Sequence, residues 1–148
     1  MRYLLFWISL LILVNGCKEV SNIVTPVSEV VDSLQYTFDA PRIVWGTHDT
    51  LSAAVTVYNR ASVPETVMVT GFSFRWFLQD GSGRTIMFGP RQASWFIGRF
   101  QLGPHQSKKI YGFSEAISDT SGQPVPAGLY LLKATVDTLH FSLNLRLE

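Results

Sequence analysis

Residues 139–148 alternate without a fault. Leu139, Phe141, Leu143, Leu145 and Leu147 are apolar, and His140, Ser142, Asn144, Arg146 and Glu148 lie between them. Strict period two over this length describes a β-strand with one face buried and the other in water. A helix would scatter both sets around its axis. A chain that ends this way must supply a sheet for the strand to join.

The stretch before it fits that demand. Gly122 to Val136 reads GQPVPAGLYLLKATV. Pro124 and Pro126 fix φ and remove two backbone donors, so neither belongs inside a ladder. Gly122 and Gly128 supply backbone freedom on either side. Tyr130, Leu132, Ala134 and Val136 then form one apolar face, with Lys133 and Thr135 on the other. The pattern predicts a rigid corner leading into a core strand.

The remaining pattern from Leu34 onward is also β. Gln35–Phe38 and Pro41–Trp45 predict a first strand, broken at Asp39-Ala40-Pro41. Leu51–Tyr58 places Ala53, Val55 and Val57 on one face. Glu65–Thr70 opposes Val67 and Val69 to Thr66, Met68 and Thr70. Phe72, Phe74, Trp76 and Leu78 make the most apolar face in the chain, with Arg75 and Phe77 opposite. Asp80-Gly81-Ser82-Gly83 predicts a hairpin turn returning through Arg84–Phe88. In the irregular segment 89–103, Phe96, Phe100 and Leu102 share a face, and Trp95, Ile97 and Arg99 take the other. Ser107–Phe113 is a strand and Ser114–Pro126 a long loop. Short strands separated by regular turns predict an all-β, antiparallel sandwich of about seven to nine strands. Apolar residues make up 47% of the chain and charged residues 16%, which excludes a disordered chain.

The N-terminus reads as an address. Arg2 is followed by an apolar run from Tyr3 to Val14, shorter than the ~20 residues of a membrane-spanning helix. The run ends at Val14-Asn15-Gly16-Cys17, and Cys17 is the only cysteine. This resembles a bacterial lipoprotein signal. The resemblance implies cleavage after Gly16, thioether lipidation of Cys17 and membrane tethering, with residues 1–16 the signal, 17–33 the tether and 34–148 the sandwich. Ordinary secretion with a free thiol and a short membrane anchor are the alternatives. Lys18 is not an acidic retention residue, which favours the outer membrane of the cell envelope. The valines of the tether predict either a free linker or a segment that zips onto a sheet edge or a partner. Cleavage removes one of the twelve basic residues and leaves eleven against eleven acidic ones. That balance argues against nucleic acid or an anionic membrane surface as the ligand.

From Leu51 to Val136 the chain resembles the BsuPI-type proteinase-inhibitor domain. Val55-Thr56-Val57-Tyr58-Asn59 is similar to that family's strand ending in Asn. Phe72–Gly83 is similar to its aromatic strand with Asp and a Gly turn, and Phe100-Gln101-Leu102-Gly103-Pro104 to the segment before its next strand. Gly122–Tyr130 matches its Gly-x-Pro-Val-Pro-x-Gly-x-Tyr corner. The resemblance implies an immunoglobulin-like sandwich and proteinase inhibition. An export signal directs any such inhibition to an envelope protease. No matched motif defines a reactive site.

Residue chemistry points away from catalysis. His48, His105 and His140 are the only histidines, and none has metal-ligand spacing. Asp119-Thr120-Ser121-Gly122 lacks the spacing and the second copy of an aspartic-protease motif. No phosphate loop or nucleophile elbow occurs. The sequence therefore predicts a non-enzyme without cofactor or metal. Arg91, Trp95, Phe96 and Arg99 sit in one irregular segment, and Trp and Arg are favoured interface anchors. They are the candidate partner-binding residues of a lipid-anchored, extracytoplasmic protein-binding module. Capping of the core is the competing reading for Trp95 and Phe96. Proteinase inhibition through the Pro-rich corner and an accessory role in an envelope assembly are the other functional readings.

Overall fold

The computed structural model describes residues 24–90 and 97–148. Its strands are β1 (Val27–Val31), β2 (Leu34–Asp39), β3 (Val44–Trp45), β4 (Thr50–Asn59), β5 (Glu65–Thr70), β6 (Phe74–Asp80), β7 (Thr85–Gly89), β8 (Ile97–Leu102), β9 (Ser107–Ala116), β10 (Gly128–Val136) and β11 (Leu139–Leu147). One sheet has the order β1-β2-β4-β9 and the other β3-β11-β10-β6-β7, while β5 and β8 form a separate ribbon. The fold is an all-β, immunoglobulin-like sandwich. Among the described residues, only the β3–β11 pair is parallel.

The core lies between the two larger sheets, and three aromatic pairs bridge it. Trp76 stacks on Phe113 at 4.0 Å, Phe74 on Tyr111 at 5.1 Å, and Phe38 meets Phe141 at 6.0 Å. Each pair joins a strand of one sheet to a strand of the other. The alternation read in 139–148 is realised in full, with Phe141, Leu143, Leu145 and Leu147 buried. Leu51, Ala53, Val55 and Val57 do the same on β4. A smaller cluster of Val57, Val67 and Leu102 seats the β5–β8 ribbon.

The eleven strands exceed the seven to nine read from the sequence, for identifiable reasons. The predicted first strand is two: β2 and β3 belong to different sheets, and the chain crosses between them through buried Ala40. Arg42 braces the crossing. Its guanidinium lies over the Trp45 ring at 4.2 Å and donates to Asp49 at 2.7 Å, while Asp49 accepts from the Gly46 amide. The second extra strand comes from the predicted tether. Residues 27–31 pair along β2 from Val27↔Phe38 to Val31↔Leu34, the edge-zipping alternative for those valines. Residues 17–23 and Cys17 lie outside the described residues.

Two bulges adjust faces that simple alternation would misplace. Between β4 and β9, Val55 faces Tyr111 and Thr56 faces Lys109, so Ile110 is the extra residue. Between β6 and β7, Leu78 faces Met87 and Gln79 faces Thr85, leaving Ile86 extra. A bulge lets consecutive residues turn inward, and Ile86 and Met87 are both buried. Phe72 departs from the expected apolar face. It lies in the turn before β6 and is 40% exposed.

The corner into β10 is braced as a tyrosine corner. The Tyr130 hydroxyl donates to the Pro126 carbonyl at 2.8 Å, and Val125 is buried. A tyrosine bonded back to the backbone at such a corner is a feature of immunoglobulin-like sandwiches. Gly122 takes the left-handed conformation at φ 79°, and Gly128 lies at φ 159°. Both glycines take positive-φ backbone that L side chains rarely adopt.

Candidate functional site

Arg91, Trp95 and Phe96 lie outside the described residues. Their segment joins β7 to β8 in the sequence. On one side, Arg99 is exposed on β8 opposite Met68 of β5, and Ile97 stands opposite Thr70. Ile97 and Met68 are 78% and 62% exposed on the outer face of the ribbon. Phe100 and Leu102 turn the other way, against the small cluster. The two-face division read from the sequence for 97–102 is the one observed.

On the other flank, the β6–β7 hairpin carries a shallow groove of about 260 Å³, lined by Phe72, Arg75, Phe77, Phe88 and Pro90 among others. Phe88 is 47% exposed, and Phe77 is its direct partner across the ladder. Phe72 and Phe88 at the groove, with Ile97 and Met68 on the ribbon, are half of the exposed large hydrophobic side chains of the described residues; Val30, Val31, Val63 and Leu129 lie elsewhere. Sequence reading set Phe77 opposite the apolar face of its strand and Ile97 opposite Phe100 and Leu102; Phe77 is partly covered and Ile97 exposed. That reading missed Phe72 and Phe88, because the turn before β6 and the bulge in β7 reset the alternation.

Buried polar groups hold these flanks in place. Asn59 is fully buried and ends β4. Its amide nitrogen donates to the carbonyls of Val63, Leu102 and Gly103 at 2.8, 3.0 and 3.1 Å, and its oxygen accepts from the Ala61 amide. One side chain thus ties the β4–β5 turn to the end of β8. The Tyr111 hydroxyl reaches from β9 to β5, donating to the Thr70 carbonyl and accepting from the Thr70 amide. Burial raises the Tyr111 pKa, as it does those of Tyr36 and Tyr130.

The titratable groups singled out in the sequence serve the backbone or face solvent. Asp80 accepts from the Ser82 hydroxyl and the Ser82 and Arg84 amides, and pairs with the Arg84 guanidinium at 3.1 Å. The Ser82 hydroxyl bond is the largest cause holding its pKa at about 2. Asp119 accepts from the Ser121 and Gln123 amides, which makes the Asp-Thr-Ser-Gly segment a loop. His105 ends the β8–β9 turn beside Tyr58, and His48 and His140 are exposed. No group of three His, Cys, Asp or Glu side chains among the described residues is placed to hold a metal ion.

No family model and no curated protein sequence matches the chain. Solved structures with a similar arrangement include a β-glucosidase of Listeria innocua, at 13% identity and a TM-score of 0.47, over 81% of this chain and 16% of that one. A β-glucosidase of Erythrobacter marinus aligns at 17% identity and a TM-score of 0.49, over 78% of this chain and 15% of that one. The chain spans under a fifth of the length of either enzyme. At this level the likeness bears on neither activity nor substrate.

Proposed function

We propose that this chain is a lipid-anchored, extracytoplasmic, non-catalytic protein-binding module. Cys17 carries the lipid, and the partner is a protein of the cell envelope. The reading is carried by the exposed apolar residues Ile97, Met68, Phe88 and Phe72 on both flanks of the segment that holds Arg91, Trp95 and Phe96. Large apolar side chains rimmed by polar ones characterise protein interaction sites. The test is photo-cross-linking of the full chain in membranes, with the photoreactive group at position 97. Adducts with one or a few proteins support the reading, and an absence of adducts at 97 and at 68 overturns it. An inhibitor of lipoprotein signal peptidase should block processing, and unchanged processing removes the anchor.

Proteinase inhibition is the second reading. It is favoured by the resemblance and by Leu129, 74% exposed beside the Tyr130-braced corner. Titration against purified envelope proteases decides it, since stoichiometric loss of activity is required.

A further inference from the structure

The outer face of the five-stranded sheet carries a cluster of basic side chains. The turn between β10 and β11 carries Asp137, which makes no ion pair among the described residues, and strands β6, β7, β10 and β11 contain one carboxylate, Asp80. It stands opposite the core residue Tyr130 at the hairpin end and is engaged by Arg84. The same strands contain Arg75, Lys133, His140 and Arg146, of which Arg146 pairs with Glu148. Strands β1, β2, β4 and β9 mix both signs, with Glu29, Asp39 and Glu115 against Lys108 and Lys109. The separation is therefore local, in a chain of nearly balanced charge.

Register brings the remaining three basic side chains together. Arg75 on β6 and His140 on β11 both lie directly opposite Thr135 of β10. Lys133 lies two residues along β10, on the same face, between Phe77 and Ser142. Directly opposed residues sit ~5 Å apart and diagonal ones ~7–8 Å apart, so Thr135 stands at the centre of the cluster. Neither Arg75 nor Lys133 has a carboxylate within 4.0 Å among the described residues. A shallow depression of about 280 Å³ opens there, bounded by Phe77, Lys133, Thr135 and His140. Beside it, the Phe77–Phe88 pair leads into the groove of the β6–β7 hairpin.

We propose that this face binds an extended acidic segment of a partner protein, with its carboxylates on Arg75, Lys133, Thr135 and His140 and an apolar side chain over Phe77 and Phe88. The proposal rests on the protein-binding reading and names a surface and a chemistry for it. Close cations without counter-charges repel in the free protein, and a carboxylate relieves that repulsion while accepting their hydrogen bonds. The flat face and the adjoining phenylalanines suit a polypeptide. A neutral glycan accepts hydrogen bonds from these side chains but brings no charge to relieve their repulsion. A nucleic acid requires a far more extensive basic surface.

The test uses the isotope-labelled full chain in detergent micelles and a synthetic peptide alternating glutamate with phenylalanine. Amide shifts should map to residues 75–79, 131–135 and 139–142. Affinity should fall at least tenfold in the double variant Arg75→Gln/Lys133→Gln. It should also fall severalfold when salt rises from about 50 to about 300 mM, as the Debye length shortens. The same peptide with glutamine in place of glutamate should not bind. Equal affinity of the double variant overturns the proposal, as do shifts mapping elsewhere. Inorganic phosphate reproducing the whole response, or a single-stranded oligonucleotide binding more tightly than the peptide, also overturns it. Cross-linking from position 97 in the double variant separates the two readings. Adducts that persist while the wild-type chain ignores the acidic peptide leave the protein-binding module standing and remove this surface from it. The absence of both removes both.

Discussion

The Tyr111 hydroxyl satisfies both backbone groups of Thr70, with its two hydrogen bonds each 3.0 Å long. A side chain of the four-stranded sheet thereby closes the end of a ribbon that shares no ladder with that sheet. Tyr111→Phe keeps the ring stacked on Phe74 and removes both bonds. The Thr70 carbonyl keeps the Ser73 amide at 3.2 Å, and the Thr70 amide loses Tyr111 as its acceptor; we expect a loss of about 1–3 kcal/mol. Urea unfolding should report it, and hydrogen exchange should localise faster opening to β5 and β8.

Asn59 is the more severe case. Asn59→Leu has a similar volume but leaves three carbonyls and the Ala61 amide without their partner. The expected loss is about 3 kcal/mol or more. Asn59→Asp should be no better, because it aims a carboxylate at three carbonyl oxygens. A urea midpoint within error of wild type for either variant would refute this role.

Gly89 marks a limit of space. A Cβ there would collide with Trp76 Nε1 and lie 2.7 Å from Cε2. The indole is buried and stacked on Phe113 and has nowhere to retreat. Gly89→Ala should cost about 1–3 kcal/mol through overpacking. Near-ultraviolet circular dichroism should show the Trp76 environment changed, with a lower Tm.

The three tyrosines with raised pKa values set the alkaline limit. Burial is the largest cause for Tyr36, Tyr111 and Tyr130. Above the unfolded tyrosine pKa of about 10, the unfolded chain loses protons that the folded chain retains. Their contribution is therefore complete below that pH and is lost as pH rises through the folded values. Stability should decline with pH above about 10, and Tyr111→Phe should make the decline shallower.

The Asp80 carboxyl should titrate near pH 2 by NMR. Ser82→Ala removes the largest cause of its depression, so its midpoint should move up toward the unperturbed 3.8. The stabilisation from this depressed group is present above the unfolded value and lost as pH falls through the folded one. An unmoved midpoint would assign the effect to Arg84 and the backbone instead.

Much of this architecture is written in local periodicity. β4 and β11 follow from alternation alone, and Asp80-Gly81-Ser82-Gly83 forms the expected turn, with Gly83 at φ 84°. Bulges leave no such mark: Ile86-Met87 and Ile110-Tyr111 read as broken alternation until the partner strand is known. β3 is too short to carry a period. The strand at 27–31 depends on a free edge of β2 rather than on its own residues. The cationic surface was legible in pieces. Alternation put Arg75, Lys133, Thr135 and His140 on outward faces, but only the register of β6, β10 and β11 makes them neighbours. Arg99 is exposed where the sequence placed it, on the flank of the segment it was grouped with.

The β1–β2 ladder has a mechanical consequence. Its open end is the pair Val27↔Phe38, and its closed end is the turn after Val31. Tension arriving along the chain ahead of Val27 loads the pairs one at a time, as in unzipping, rather than all together in shear. Val30 and Val31 are exposed, and of this strand Val27 alone packs against the core, so peeling the strand removes one partly buried contact. Releasing residues 27–33 adds about 20 Å of reach, at the ~3.3 Å rise of an extended residue. The first element of the domain is thus a length reserve that yields before the sandwich does.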